Sequence, residues 1–121
     1  MGRSCIVLFQ TDQIIAFMNQ RLERLKEMEK QKPEEGFLKF AIAQEYINAG
    51  NDAEAQPYFE FLLNEQPGYV PTYYHAGKLY ERLQNAEKAA DTYRRGIIVA
   101  KTANDAKTAG ELNEALSMLV D

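Results

Sequence analysis

From Phe37 onward the apolar residues Phe37, Phe40, Ala41, Ile42, Tyr46 and Ile47 return every three or four positions, the spacing that gathers them on one face of a helix. Gly50 follows, and a residue without Cβ can take the left-handed conformation that releases the chain from a helix. Asn51 or Asp52 then starts a second helix, with Glu54 three positions after Asn51 in a capping-box pattern. Its inward face is Ala55, Phe59, Leu62 and Leu63, and Pro67-Gly68 stops it. Pro57 lies beyond the first turn, so a small kink or a lost backbone bond is expected there. Such a hairpin has apolar residues on more sides than it can bury alone.

Sliding the chain along itself explains the stops. At an offset of 34 residues Tyr46 falls on Tyr80, Asn51 on Asn85 and Ala55 on Ala89. Conservative matches accompany them: Phe40 on Tyr74, Ala43 on Gly77, Phe59 on Tyr93 and Leu63 on Ile97. These are positions where helix packing demands a small or an aromatic residue. The pattern resembles the tetratricopeptide repeat family. Read as one repeat, Gly36 to Tyr69 puts Ile42, Ala43, Tyr46, Gly50, Ala55, Phe59, Leu62 and Pro67 at that family's signature positions. Val70 to Ala103 gives Tyr73, Ala76, Gly77, Tyr80, Ala89, Tyr93 and Gly96 in the next. The departures are Gln84 for the turn glycine, Lys101 for the closing proline and Lys39 for a large aromatic.

The register extends both ways. Pro33 stands 34 residues before Pro67, so Met18 to Lys32 occupies the place of a preceding repeat's second helix, with Leu22, Leu25 and Met28 inward. Beyond Lys101, Ala109, Leu112, Leu116 and Leu119 form one stripe and Lys107, Glu111 and Glu114 another, as in a capping helix. The expected organisation is an extension at 1–17, a half repeat at 18–35, repeats at 36–69 and 70–103, and a cap at 104–121. The resemblance implies an all-α, right-handed solenoid of stacked antiparallel hairpins with about six helices. Thr11 or Asp12 is a candidate cap for a first helix that carries Ile14, Ile15, Phe17 and Met18 as an apolar overhang. Exposed apolar surface of that kind is a candidate for self-association into a homo-oligomer.

Composition narrows the chemistry. At 121 residues, 45% hydrophobic and 26% charged, the chain is too apolar for disorder and large enough for one small core. A net charge of −4 and a pI near 5.1 argue against a phosphate-binding surface, so no nucleic acid is expected. The run Ile6 to Phe9 is short for a signal peptide, Ile6 breaks a myristoylation motif, and no stretch is long enough to span a bilayer; no membrane partner is expected. One cysteine, Cys5, suits a reducing compartment and points to the cytoplasm. With one histidine, His75, no zinc spacing and no glycine-rich phosphate loop, neither a metal, a cofactor nor an enzyme is expected.

What remains is a binding surface. In the family resembled, the first helix of each hairpin lines a concave groove, which implies Phe37, Phe40, Gln44 and Asn48, then Tyr74, His75, Lys78 and Arg82, as the residues that meet a peptide or helix. Members that clamp the carboxylate at the end of a chaperone tail use Lys and Asn on the first helix of their first repeat, where Phe40 and Gln44 stand here, so that particular activity is not supported. Charge is divided: the first repeat holds Glu45, Asp52, Glu54, Glu60 and Glu65 with no basic residue between Lys39 and Lys78, whereas the second gathers Lys78, Arg82, Lys88, Arg94, Arg95 and Lys101 against Glu81, Glu87 and Asp91. The expected partner is a protein or peptide with an acidic or C-terminal carboxylate group, steered by that asymmetry.

Overall fold

A computed structural model describes residues 2–120, with side chains described for residues 13–119. Among the described residues there are six helices and no strand: α1 (Gly2–Gln31), α2 (Gly36–Asn48), α3 (Asp52–Glu65), α4 (Pro71–Arg82), α5 (Ala86–Thr102) and α6 (Ala106–Val120). Helix boundaries repeat as the sequence does. Moved by 34 residues, α2 and α3 become 36–48→70–82 and 52–65→86–99, against 71–82 and 86–102 observed for α4 and α5. The end of α1 at Gln31 maps in the same way onto the end of α3 at Glu65, each two residues before a proline. The start of α4 departs by one residue and the end of α5 by three. Where Pro67 closes the first repeat, Lys101 supplies an N–H, and the helix runs to 17 residues against 14 in α3.

Three turns share one construction. Gly50, Gln84 and Asn104 have φ of 76°, 63° and 59°, and the residue after each sends its N–H back to a carbonyl of the finished helix. The bonds are Asn51 to Tyr46 at 2.8 Å, Asn85 to Tyr80 at 2.9 Å and Asp105 to Ala100 at 2.8 Å, which is the Schellman closure. Two of those residues also cap the following helix. Asn85 Oδ1 accepts from the Lys88 N–H at 3.1 Å, and Asp105 accepts from the Thr108 N–H at 3.1 Å and its hydroxyl at 2.7 Å. The Thr108 hydroxyl and then its N–H hold the Asp105 carboxyl below the usual carboxylate range. Gln84 therefore fills the turn glycine's role despite its Cβ.

The chain divides into two compact units, residues 1–55 and 56–121. In the first, α1 packs on α2. Arg21 pairs with Glu45 at 2.7 Å, and Lys39 with Glu29 at 2.8 Å; because 21 meets 45 while 29 meets 39, the helices are antiparallel. Leu22 and Leu25 are half-buried as expected, but Met28 is 49% exposed. Met28 shares a surface patch with Gln20, Glu23, Arg24 and Glu27, on the polar side of the helix. The expected start at Thr11 or Asp12 is also corrected, because α1 begins at Gly2 and runs through both. Their side chains, like that of Cys5, lie outside the described residues.

The second unit holds α4, α5 and α6 packed together, with residues 56–65 of α3 alongside α5. Tyr73, Tyr80, Tyr93 and Phe59 are fully buried, as their signature positions imply. Two glycines set the α4–α5 spacing. A Cβ on Gly77 would lie 2.2 Å from the Tyr93 ring, and one on Gly96 would lie 2.4 Å from Tyr73 Cβ. Tyrosines and glycines thus interlock across the hairpin, and Leu112 of α6 closes on the same point, 3.0 Å from the Gly96 Cβ position.

Candidate functional site

The residues assigned to the groove fall on two helices. On α2, Phe37 is 55% exposed, Asn48 is exposed, and Phe40 and Gln44 are half-buried. They recur at 37, 40, 44 and 48, one face of the helix. The opposite face carries Leu38, Ile42 and Ala43, all buried, so α2 is held by that side and presents the other.

On α4 the assigned residues form a connected group. Tyr74, Lys78 and Arg82 succeed one another at four-residue spacing. The Lys78 ammonium stands 5.5 Å from the Tyr74 ring centroid, within cation–π range, and the Tyr74 and His75 rings meet edge to face at 5.6 Å. Lys78 also reaches Glu81 at 3.6 Å. Glu81 in turn accepts a hydrogen bond from the Tyr93 hydroxyl. Burial, reinforced by that bond, pushes the Tyr93 phenol far above its usual range. The hydroxyl therefore stays protonated and holds Glu81 in place.

His75 behaves differently from the lysine and arginine beside it in sequence. Burial, then the nearby Arg82 charge, holds its imidazole below the ordinary histidine range. It is neutral at pH 7 and supplies shape and a hydrogen-bonding edge rather than charge. The positive character of this face comes from Lys78 and Arg82. Sequence reasoning counted Glu81 only as a charge and missed its positioning role. The signal lay in the spacing Glu81-to-Tyr93 across the turn, which the repeat register places on facing helices.

The charge asymmetry is partly cancelled inside each unit. Glu45 takes Arg21, and Glu60 takes Lys88 at 3.6 Å. At the other end of the chain, Ile14, Ile15 and Phe17 are 60%, 50% and 57% exposed, and Met18 is half-buried. The Arg21 guanidinium lies 5.2 Å from the Phe17 ring. Among the described residues no three His, Cys, Asp or Glu side chains gather as metal ligands, and no helix is long and apolar enough to cross a membrane.

Comparison with known proteins gives the family. A tetratricopeptide repeat model matches residues 70–97. The crystal structure of a tetratricopeptide repeat domain protein from Salinibacter ruber is 43% identical over 71% of this chain and 96% of its own, with a TM-score of 0.69. A protein from Bordetella parapertussis, 23% identical over 82% of this chain and 86% of its own, shares the fold with a TM-score of 0.70. MamA from Desulfovibrio magneticus shares it at 15% identity over 87% of this chain and 67% of its own, with a TM-score of 0.58. No curated protein matches the chain. With its repeating helix boundaries, its interlocked tyrosines and glycines, and these relatives, the chain belongs to the tetratricopeptide repeat family.

Proposed function

We propose that this protein is a non-catalytic protein–protein interaction module in which the first helix of each hairpin, α4 in one unit and α2 in the other, offers its own exposed face to a peptide or helix, the α4 face to one carrying acidic or C-terminal carboxylate groups. Family membership supports the general role. The observation that carries the specific one is the α4 face: Lys78 rests on Tyr74, Arg82 is exposed one turn on, and Glu81 is tied back by Tyr93. Two cations on a rigid helix suit a carboxylate partner. Phe37 on α2 adds an exposed aromatic of the kind that anchors interfaces. A cytoplasmic setting belongs to this reading and is supported by the single cysteine.

Calorimetry with a short peptide of aspartate and glutamate ending in a free carboxylate tests the reading. Lys78→Glu with Arg82→Glu is expected to weaken binding at least tenfold while the helical circular dichroism stays the same. Equal affinity in wild type and double mutant contradicts the assignment.

A second reading is supported by α1, at 30 residues more than twice the 13 of α2. Its exposed Ile14, Ile15 and Phe17 suit self-association through the first half of the helix. Light scattering on the full chain and on a variant lacking residues 1–17 is expected to give a larger mass for the full chain and a monomer for the variant. Equal masses at the same concentration remove this surface as an interface.

A further inference from the structure

A polar cleft of about 240 Å³ lies between α3 and α5, apart from the residues assigned to partner binding. Glu60 and Asn64 of α3, Lys88, Asp91 and Arg95 of α5, and Tyr80 of α4 wall it. Tyr80 is 1% exposed, and its hydroxyl has no hydrogen-bond partner among the described residues. The Lys88 ammonium, 4.7 Å from the ring centroid, and Glu60 stand close enough to act on the phenol, but neither meets its oxygen in hydrogen-bonding geometry. A buried phenol left in this way is unfavourable, and it is a group that a ligand can satisfy.

Two features define what would satisfy it. Lys88 and Glu60 meet over this region at 3.6 Å with side chains 48% and 38% exposed, a long and wet contact that parts readily. Gln56 holds Glu60 Oε1 at 2.8 Å, so the carboxylate keeps its place when Lys88 moves. Farther along, Arg95 reaches the Leu63 carbonyl at 3.4 Å rather than Asp91, one turn before it, and among the described residues no ion pair engages Asp91. Two cations and two carboxylates therefore line the cleft and cancel in sum. A ligand of one sign engages one member of the opened Lys88–Glu60 pair and leaves the other to water, whereas a ligand that carries both signs engages both. The volume also falls below the roughly 300 Å³ at which drug-sized sites begin.

We propose that the cleft binds a small zwitterion, a free α-amino acid with a short side chain, which inserts between Lys88 and Glu60, gives its carboxylate to the ammonium and its ammonium to the carboxylate, and hydrogen-bonds the Tyr80 hydroxyl. The site is independent of the α4 face, so either can fail without the other.

Titration of the 15N-labelled full chain with glycine, L-alanine and L-serine tests it, with acetate and methylammonium as single-charge halves. The expected result is saturable shifts at the Glu60, Asn64, Lys88 and Asp91 amides with the amino acids and none that saturate with the halves. Tyr80→Phe removes only the unpaired hydroxyl, so it is expected to keep the unfolding midpoint and weaken the amino acids at least tenfold. Lys88→Gln, on an exposed side chain, is expected to abolish saturation. Absence of saturable shifts with all three amino acids, acetate matching glycine at equal concentration, or wild-type affinity in Tyr80→Phe overturns the proposal.

Discussion

Gly96 and Gly110 are both helical, yet a side chain is expected to act at them in opposite directions. Replacing a helical glycine by alanine gains about 0.5–1 kcal/mol in propensity. At Gly110 a Cβ meets nothing within 4 Å, so Gly110→Ala is expected to stabilise by that amount. At Gly96 the new carbon would lie 2.4 Å from Tyr73 Cβ, an atom fixed to the backbone that cannot swing aside. Overpacking of this kind costs about 1–3 kcal/mol and outweighs the propensity. Urea unfolding of the two variants measures the contrast, and a stabilised Gly96→Ala contradicts the packing described. Gln84 offers a third test. Its φ of 63° places a Cβ residue in the left-handed region, at about 1–2 kcal/mol. Part of the relief is lost to the greater freedom of an unfolded glycine, so Gln84→Gly is expected to stabilise by about 0.5–1 kcal/mol, read in the same unfolding experiment.

Helices are the scale at which the sequence was most legible, because their signals are local. Pro33 and Pro67 ended α1 and α3, and the Asn51 and Asn85 positions opened α3 and α5 at the same register. Buried signature residues followed from that register. Phe59, fully buried on α3, is expected to cost about 3–5 kcal/mol as Phe59→Ala; a loss below about 1 kcal/mol in chemical denaturation would mean that the register is misread. Met28 was misplaced for a physical reason. Three-residue spacing from Leu22 and Leu25 admits it to the apolar face, but it lies with Gln20, Glu23, Arg24 and Glu27, and the contact with α2 at this level is made by its neighbour Glu29 with Lys39. The start of α1 was also illegible, since Thr11 and Asp12 can cap a helix or lie within one, and nothing local distinguishes the two.

In the whole molecule, the candidate surfaces depend on partners far apart in sequence, and that limited what a linear reading could find. Lys78 and Arg82 were recognisable as a cationic pair at one-turn spacing. The neutral state of His75 was not, because it arises from burial and from Arg82 seven residues on. The cleft at Tyr80 was hidden for the same reason: its walls come from three helices. The central claim is that this family member uses the α4 face to hold a carboxylate-bearing partner. Chemical-shift mapping of the 15N-labelled chain with the acidic peptide tests it most directly. The account expects saturable shifts at the Tyr74, His75, Lys78 and Arg82 amides that weaken as salt rises. Saturable shifts confined to other helices, with the α4 amides unmoved, would contradict it.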